Sequence, residues 1–126
     1  MARQVVSTVR APKAIGPYSQ AISSNGLIFC SGQLALDPAS GELQGDSVTE
    51  QTRVCMQNLT AVLEAAGATW ADVLKVNAYL TDIGQFAAFN EVYGEFLDDD
   101  PPARAAIGVA GLPKGAQVEV ECIARV

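Results

Sequence analysis

A helix can be delimited in the middle of this sequence from residue types alone, and it constrains the fold more than any other feature. Ser47 and Glu50 stand three residues apart before an apolar run, which is the spacing of a capping box. Gly67 is of the type that most often ends a helix. The pattern therefore predicts a helix that runs to about residue 66. Its apolar residues recur at helical spacing and should form one buried face: Cys55, Leu59, Val62, Leu63 and Ala66.

Strand-like sequence lies on both sides of this helix, which favours a mixed fold. Residues 4–7 are typical of a short edge strand, and Asn25-Gly26 is the strongest short-range sign of a β-hairpin. A two-residue turn there would pair Ser24 with Leu27 and Gln20 with Ser31. After the helix, residues 73–81 alternate with the period of a strand. One face would carry Leu74, Val76, Ala78 and Leu80, and the other Lys75, Asn77 and Tyr79.

A second helix is expected to begin near Asp82. Acidic residues 98–100 are unfavourable at a helix C-terminus, and Pro101 cannot extend the helix, so it should stop about there. Its apolar residues again have helical spacing and predict a buried stripe: Phe86, Phe89, Tyr93, Phe96 and Leu97.

Two strands, about 104–110 and 117–125, are expected to close the chain as a hairpin with its turn at residues 112–115. A tight turn would pair Arg104 with Ile123 and Glu119 with Gly108. The complete order predicts one α+β domain over residues 1–126, with two helices on one face of a mixed sheet. A chain of 126 residues with 49% apolar residues is long enough to bury its own core.

Composition excludes several classes of function. The chain has no histidine, which removes histidine-based triads, the usual zinc sites and the commonest general base. A net charge of −6 weighs against nucleic-acid binding, because that binding relies on neutralising phosphates. No apolar run is long enough for a membrane helix or a secretory signal. The three cysteines, at 30, 55 and 122, are typical of free thiols, so we expect a cytoplasmic location.

Arg104 and Glu119 are the candidate catalytic residues. A guanidinium binds a planar carboxylate through two parallel hydrogen bonds, and a glutamate on a strand can orient or deprotonate water. Together they suggest hydrolytic chemistry beside a bound carboxylic acid, although ordinary exposed charges on a solvated strand would give the same pattern. On the first hairpin, Tyr18 and Ser31 would share a face. They could line one pocket, or they could merely cap turns and meet solvent.

Five segments, in order along residues 11–126, resemble the Rid (reactive intermediate deaminase, YjgF) family. They are Gly16-Pro17-Tyr18-Ser19-Gln20-Ala21, Ser31-Gly32-Gln33, Pro102-Ala103-Arg104, Leu112-Pro113-Lys114-Gly115 and Val118-Glu119-Val120-Glu121. The resemblance implies a chorismate-mutase-like fold and a homotrimer with sites between subunits. It also implies hydrolysis of 2-imino acids and their enamines, such as 2-iminobutanoate, 2-iminopropanoate and 2-aminoacrylate, to 2-oxo acids and ammonia.

The same resemblance assigns roles to individual residues. Arg104 matches the arginine that binds the substrate carboxylate, and Glu119 matches the glutamate that positions the attacking water. Lys114 could be a second anion contact, although a solubilising turn residue is the simpler interpretation. Many members have cysteine where this chain has alanine, at residue 106. The residues matched to the pocket lining are Tyr18, Ser31, Gly32, Asn90 and Ala106.

The chemistry needs no metal or cofactor, because positioning a water against a protonated imine is mainly an orientation effect. With the predicted pairing, Arg104 and Glu119 would be four residues apart along a hairpin, or about 13 Å. A four-carbon substrate cannot bridge that distance, so the two should meet across a subunit boundary. A noncatalytic module that binds 2-oxo acids in the same cleft is the alternative. A ribonuclease is disfavoured by the acidic charge and the missing histidine.

Overall fold

The structure is a computed structural model that describes residues 2–126. Six strands form one mixed sheet in the order β1-β2-β3-β6-β4-β5, and two helices cover one of its faces. The elements in chain order are β1 (Gln4–Val6), β2 (Ala21–Ser24), β3 (Leu27–Gln33), α1 (Val48–Ala65), β4 (Val73–Leu80), α2 (Phe86–Gly94), β5 (Ala103–Gly108) and β6 (Val118–Arg125). Within residues 2–126, none of the helices has the length and hydrophobicity needed to cross a membrane.

The first hairpin forms as predicted. Ser24 pairs with Leu27, and the N–H of Ser31 donates to the carbonyl of Gln20 at 2.9 Å. Asn25 and Gly26 both have positive φ, at 52° and 78°. This left-handed backbone at both central positions is the geometry of the tight hairpin turn that the Asn-Gly pair favours.

Helix α1 also begins and ends where the sequence predicts. The side chain of Ser47 accepts a hydrogen bond from the N–H of Glu50 at 3.1 Å, while the Glu50 carboxylate accepts one from the N–H of Asp46. Gly67 follows the helix with φ at 87°, a conformation that glycine adopts without strain. The predicted apolar face packs on the sheet, with Cys55, Leu59, Val62 and Leu63 fully buried and Ala66 at its edge.

The predicted C-terminal hairpin is wrong. β5 pairs in parallel with β4, and β6 pairs antiparallel with β4 on one side and β3 on the other. Arg104 therefore pairs with Val76, not Ile123, and Glu119 pairs with Tyr79, not Gly108. The physical reason is that β4, α2 and β5 form a strand–helix–strand unit whose strands lie parallel and adjacent. This arrangement also pairs the buried strand β4 on both edges.

Two further expectations are corrected. Leu74 does not share the buried face of β4: it is 45% exposed, because the pairing with β6 shifts between Val73 and Lys75. This β-bulge adds a residue to β4, so Val73 is buried in its place. Helix α2 begins at Phe86 rather than near Asp82, because a short 3-10 turn over Ile83–Gln85 comes first, and it stops at Gly94, several residues before the acidic run 98–100. Its predicted stripe is buried at Phe89 and Tyr93 and half-buried at Phe86, Phe96 and Leu97.

The two faces of the sheet differ in what covers them. Under the helices, the alternating residues of β4 and β6 are fully or almost fully buried: Val76, Ala78, Leu80, Val118, Val120 and Cys122. The opposite face has no layer of the described chain over it. It carries a polar group from the same strands, namely Asn77, Tyr79, Glu119 and Glu121.

Candidate active site

Arg104 projects from β5 onto the helix-covered side of the sheet, where its side chain packs against α2. Its guanidinium carbon lies 5.1, 5.8 and 5.0 Å from the ring centroids of Phe86, Phe89 and Tyr93. These rings recur every three or four residues, so they form one stripe along the helix. The Nη1 of Arg104 also donates to Oδ1 of Asn90 at 2.7 Å. Aromatic faces and one amide thus fix the direction of the guanidinium, while most of its five N–H groups remain for a ligand.

A cavity of about 520 Å³ opens beside this arginine, and Asn90, Tyr93, Pro102 and Arg104 contribute to its lining. The hydroxyl of Tyr93 is buried without a hydrogen-bond partner among the described residues. Burial raises the pKa of this phenol, and the charge of Arg104 acts in the opposite direction. The cavity can therefore receive a small anion at a guanidinium with an uncharged phenol nearby.

Glu119 projects from β6 onto the opposite, uncovered face. Its carboxylate lies over Gly32 of the neighbouring strand β3, and a Cβ at residue 32 would stand only 2.6 Å from Oε2 of Glu119. Glycine leaves room for the carboxylate here, because a Cβ at this position would force Glu119 to shift. Burial is the larger cause of the raised pKa of Glu119, and the negative charge of Glu121 raises that pKa further. A carboxyl with a raised pKa is better able to accept and return a proton near neutral pH.

A second cavity, of about 380 Å³, contains this carboxylate, with Tyr18 and Gly32 in its lining. Lys13 and Lys114 also line it, so the lining of this cavity contains two cations and one carboxylate. Lys114 has a left-handed backbone with φ at 60°, as expected in a turn, and its Nζ donates to the carbonyl of Gly41 at 3.1 Å. The structure therefore places Lys114 both in the turn and at the cavity.

Two of the residues matched by resemblance make other contacts. The hydroxyl of Ser31 donates to the carbonyl of Ser19 at 2.5 Å, so it holds the chain segment that carries Tyr18. Ala106 lies on the same side of β5 as Arg104 and packs against the core. The methyl side chain of Ala106 cannot form a hydrogen bond in the cavity. Only the backbone of this residue can take part in hydrogen bonding.

Arg104 and Glu119 cannot meet within one copy of the chain. Arg104 pairs with Val76, which pairs in turn with Cys122, three residues beyond Glu119 on β6. This offset is about 10 Å along the strands and about 10 Å across them, and the two side chains project from opposite faces. The predicted strand pairing, from which the separation of about 13 Å was calculated, is wrong. The conclusion that Arg104 and Glu119 lie far apart in one copy still holds. Each cavity holds half of the expected chemistry.

Three features of the site were not predicted. The aromatic stripe of α2 was assigned to the core alone, although its spacing already placed Asn90 beside the rings. Lys13 gave no sign of lining a cavity, because its loop has no regular period. On the uncovered face, the hydroxyl of Tyr79 donates to Oε2 of Glu121. That contact depends on the pairing of β4 with β6, which the sequence did not reveal.

Comparison with known proteins identifies the family of this chain. The model of the family described as "Endoribonuclease L-PSP" matches residues 8–126. A RutC family protein of Pyrococcus abyssi is 48% identical over 98% of both chains. A 2-iminobutanoate/2-iminopropanoate deaminase of Capra hircus is 46% identical over 98% of this chain and 90% of its own.

Solved structures lead to the same family. The crystal structure of a Rid-family protein from Yersinia pestis superposes with a TM-score of 0.96 at 41% identity, covering 99% of this chain and 100% of the other. The predicted α+β, chorismate-mutase-like fold is thereby confirmed. The match over nearly the whole length, in sequence and in structure, shows that this chain belongs to the endoribonuclease L-PSP family, which includes the Rid (YjgF) proteins.

Proposed function

We propose that this protein hydrolyses 2-imino acids and the enamines that tautomerise to them, giving 2-oxo acids and ammonia. The substrates would be small, such as 2-iminobutanoate, 2-iminopropanoate and 2-aminoacrylate. The observation that carries the proposal is the pair of complementary half-sites, a guanidinium in one cavity and a carboxylate with a raised pKa in the other. The relative named as a 2-iminobutanoate/2-iminopropanoate deaminase supports the same reaction.

The first step would be binding of the substrate carboxylate by Arg104. Asn90 accepts a hydrogen bond from only one N–H group of Arg104. The guanidinium therefore keeps enough donors for a bidentate pair with the substrate carboxylate. The aromatic rings around it restrict its motion, so the bound carboxylate fixes the direction of the adjacent C=N carbon. This is catalysis by orientation, and it acts without any covalent step on the protein.

The second step would be attack by a water held at Glu119. The water oxygen bonds to C2 of the protonated imine as the C=N π electrons move to nitrogen, and Glu119 accepts the water's proton. Return of that proton to nitrogen makes ammonia the leaving group. As the C–N bond breaks, the hydroxyl oxygen forms the C=O bond and its proton passes through Glu119 to the departing ammonia, which leaves ammonium and the 2-oxo acid. The uncatalysed hydrolysis is already fast, so the barrier needs to fall only modestly.

The complete site requires a second copy of the chain, and we propose the homotrimer implied by the family resemblance. The uncovered sheet face carries an apolar row that crosses four strands through the pairs of Val5, Ile22, Phe29 and Ile123. Val5 and Phe29 are 65% and 45% exposed, so this row is suited to burial against another copy. Contact between unlike surfaces of successive copies closes into a ring, and it would bring Arg104 of one copy toward Glu119 of the next.

The test is to generate 2-aminoacrylate or 2-iminobutanoate in place with an amino-acid dehydratase and to follow formation of the 2-oxo acid. We expect wild type to accelerate it and Arg104→Ala to abolish the acceleration, because the carboxylate anchor is lost. Arg10→Ala is the matched control, since Arg10 is an exposed arginine paired with Glu64 on the surface. It should behave as wild type.

A noncatalytic 2-oxo-acid-binding module is the alternative. If wild type leaves the rate unchanged but 2-oxobutanoate still raises the melting temperature, and does not do so in Arg104→Ala, the cavity binds without turnover. Acceleration by Arg104→Ala equal to that of wild type would contradict both functions at this site.

A further inference from the structure

Two carboxylates on the uncovered face of β6 point away from each other. Register places Tyr79 of β4 directly opposite Glu119, yet its hydroxyl donates to Glu121, the diagonal neighbour. Glu119 lies on the other side, over Gly32 of β3. The ring of Tyr79 thus occupies the β4 side of Glu119, and its hydroxyl holds the second carboxylate on that side.

We propose that Tyr79 and Glu121 are positioning residues for Glu119. Tyr79 would fix Glu121 over β4 as an immobile negative charge, and that charge would keep the Glu119 carboxylate on the β3 side, in the cavity that Tyr18 lines. This inference rests on the proposed function and deepens it, since it identifies what aims the water-positioning group. Neither residue touches the substrate in this scheme.

Geometry and charge both favour this role. Residues two apart on one strand face have their Cβ atoms about 7 Å apart, close enough for two carboxylates to repel each other across partly buried surface. A fixed Glu121 directs that repulsion, whereas a mobile one would not. The hydrogen bond to Glu121 raises the pKa of Tyr79 to about 12, so the phenol remains a donor at any pH used for an assay.

The sign of the pH effect follows from the charges that face Glu119. The negative charge of Glu121 adds to burial in raising the pKa of Glu119, so removing that charge lowers it. The other charges of the cavity lining, Lys13 and Lys114, and Arg104 of a neighbouring copy in the proposed trimer, are unchanged by the substitution. The titratable groups around Glu119 come from the loops, α1, β4 and β6: Lys13, Tyr18, Cys55, Tyr79, Lys114 and Glu121.

The first experiment is the pH–rate profile of Glu121→Gln. Glutamine keeps an oxygen that accepts from Tyr79 but carries no charge, so the fold is expected to be retained. Because Glu119 must be ionised to accept a proton, the acidic limb of kcat should move to lower pH than in wild type. Glu64→Gln removes one negative charge from an exposed site on α1 and should leave the limb in place.

A second variant tests the hydrogen bond itself. Tyr79→Phe frees Glu121, and we expect kcat to fall about tenfold with KM unchanged, since the carboxylate anchor at Arg104 is untouched. A change in KM alone, or no change in kcat, would overturn the positioning role of Tyr79.

A direct titration keeps the inference separate from the proposed function. Protein labelled with [δ-13C]glutamate gives one carboxyl resonance for each glutamate, and Glu119→Gln identifies the signal of residue 119. Its titration midpoint should fall in Glu121→Gln and stay constant in Glu64→Gln. An unchanged midpoint in Glu121→Gln would refute the inference even if wild type is an active deaminase. Wild type without activity would refute the deaminase, while the titration would still decide the role of Glu121.

Discussion

Arg104 shows how the neighbours of a strand residue can hold its side chain in one direction. Its guanidinium lies among three aromatic rings and donates to Asn90 at 2.7 Å. Planar stacking and a fork of donors are properties that lysine lacks, so the surroundings suit arginine alone. On the other face, Gly32 has no side chain and so leaves space for the carboxylate of Glu119. In both half-sites the neighbours determine where the charged group points.

Substitution of Gly32 tests this at the residue scale. In Gly32→Ala the added Cβ would lie 2.6 Å from Oε2 of Glu119, so the carboxylate must move. We expect kcat to fall by about 10- to 100-fold, because small displacements of a water-positioning group are costly. Gly111→Ala is the control, since a Cβ there meets nothing within 4 Å. Equal deaminase rates for the two variants would show that the glycine is not needed for the site.

At the scale of elements, local signals and long-range pairing differ in what the sequence reveals. The limits of α1 and the turn at Asn25-Gly26 depend on residues a few positions apart, and both were predicted correctly. The position of β4 between β5 and β6 depends on a crossover through α2. The spacing of apolar residues along the sequence does not reveal such a crossover. The bulge at Leu74 is set by pairing with β6 in the same way. The candidate residues were identified by motif, but their division between two faces required the sheet order.

The capping box of α1 offers a prediction at this scale. Ser47→Ala removes the acceptor for the N–H of Glu50, and loss of such a cap costs about 1 kcal/mol. The thermal midpoint should fall by about 4 °C, measured by circular dichroism at fixed protein concentration. Thr49→Ala, at an exposed position one residue into the same helix, should not lower the midpoint. A midpoint for Ser47→Ala equal to that of wild type would mean that the cap contributes nothing.

At the scale of the whole molecule, one copy of the chain carries Arg104 and Glu119 on opposite sides of the sheet, so the proposed site cannot be completed within that copy. The helix-covered side presents Arg104, and the uncovered side presents Glu119 beside an apolar row. Burial of that row and completion of the site would therefore be achieved by the same association. Activity and assembly are expected to be coupled, so dilution of the protein below the concentration at which the trimer dissociates should reduce both.

Mixing two inactive variants provides the sharpest test of this coupling. Arg104→Ala retains Glu119, and Glu119→Gln retains Arg104, so a mixed trimer contains some sites with both native groups. If subunits exchange at random in an equal mixture, a site is intact when both of its contributing subunits are of the right type, which gives about a quarter of wild-type activity. The mixture is unfolded, refolded and confirmed as trimer by sedimentation before assay. Each variant refolded alone is the control, and it should stay inactive. A refolded mixture with no activity above those controls, or sedimentation as monomer at micromolar concentration, would contradict the shared site.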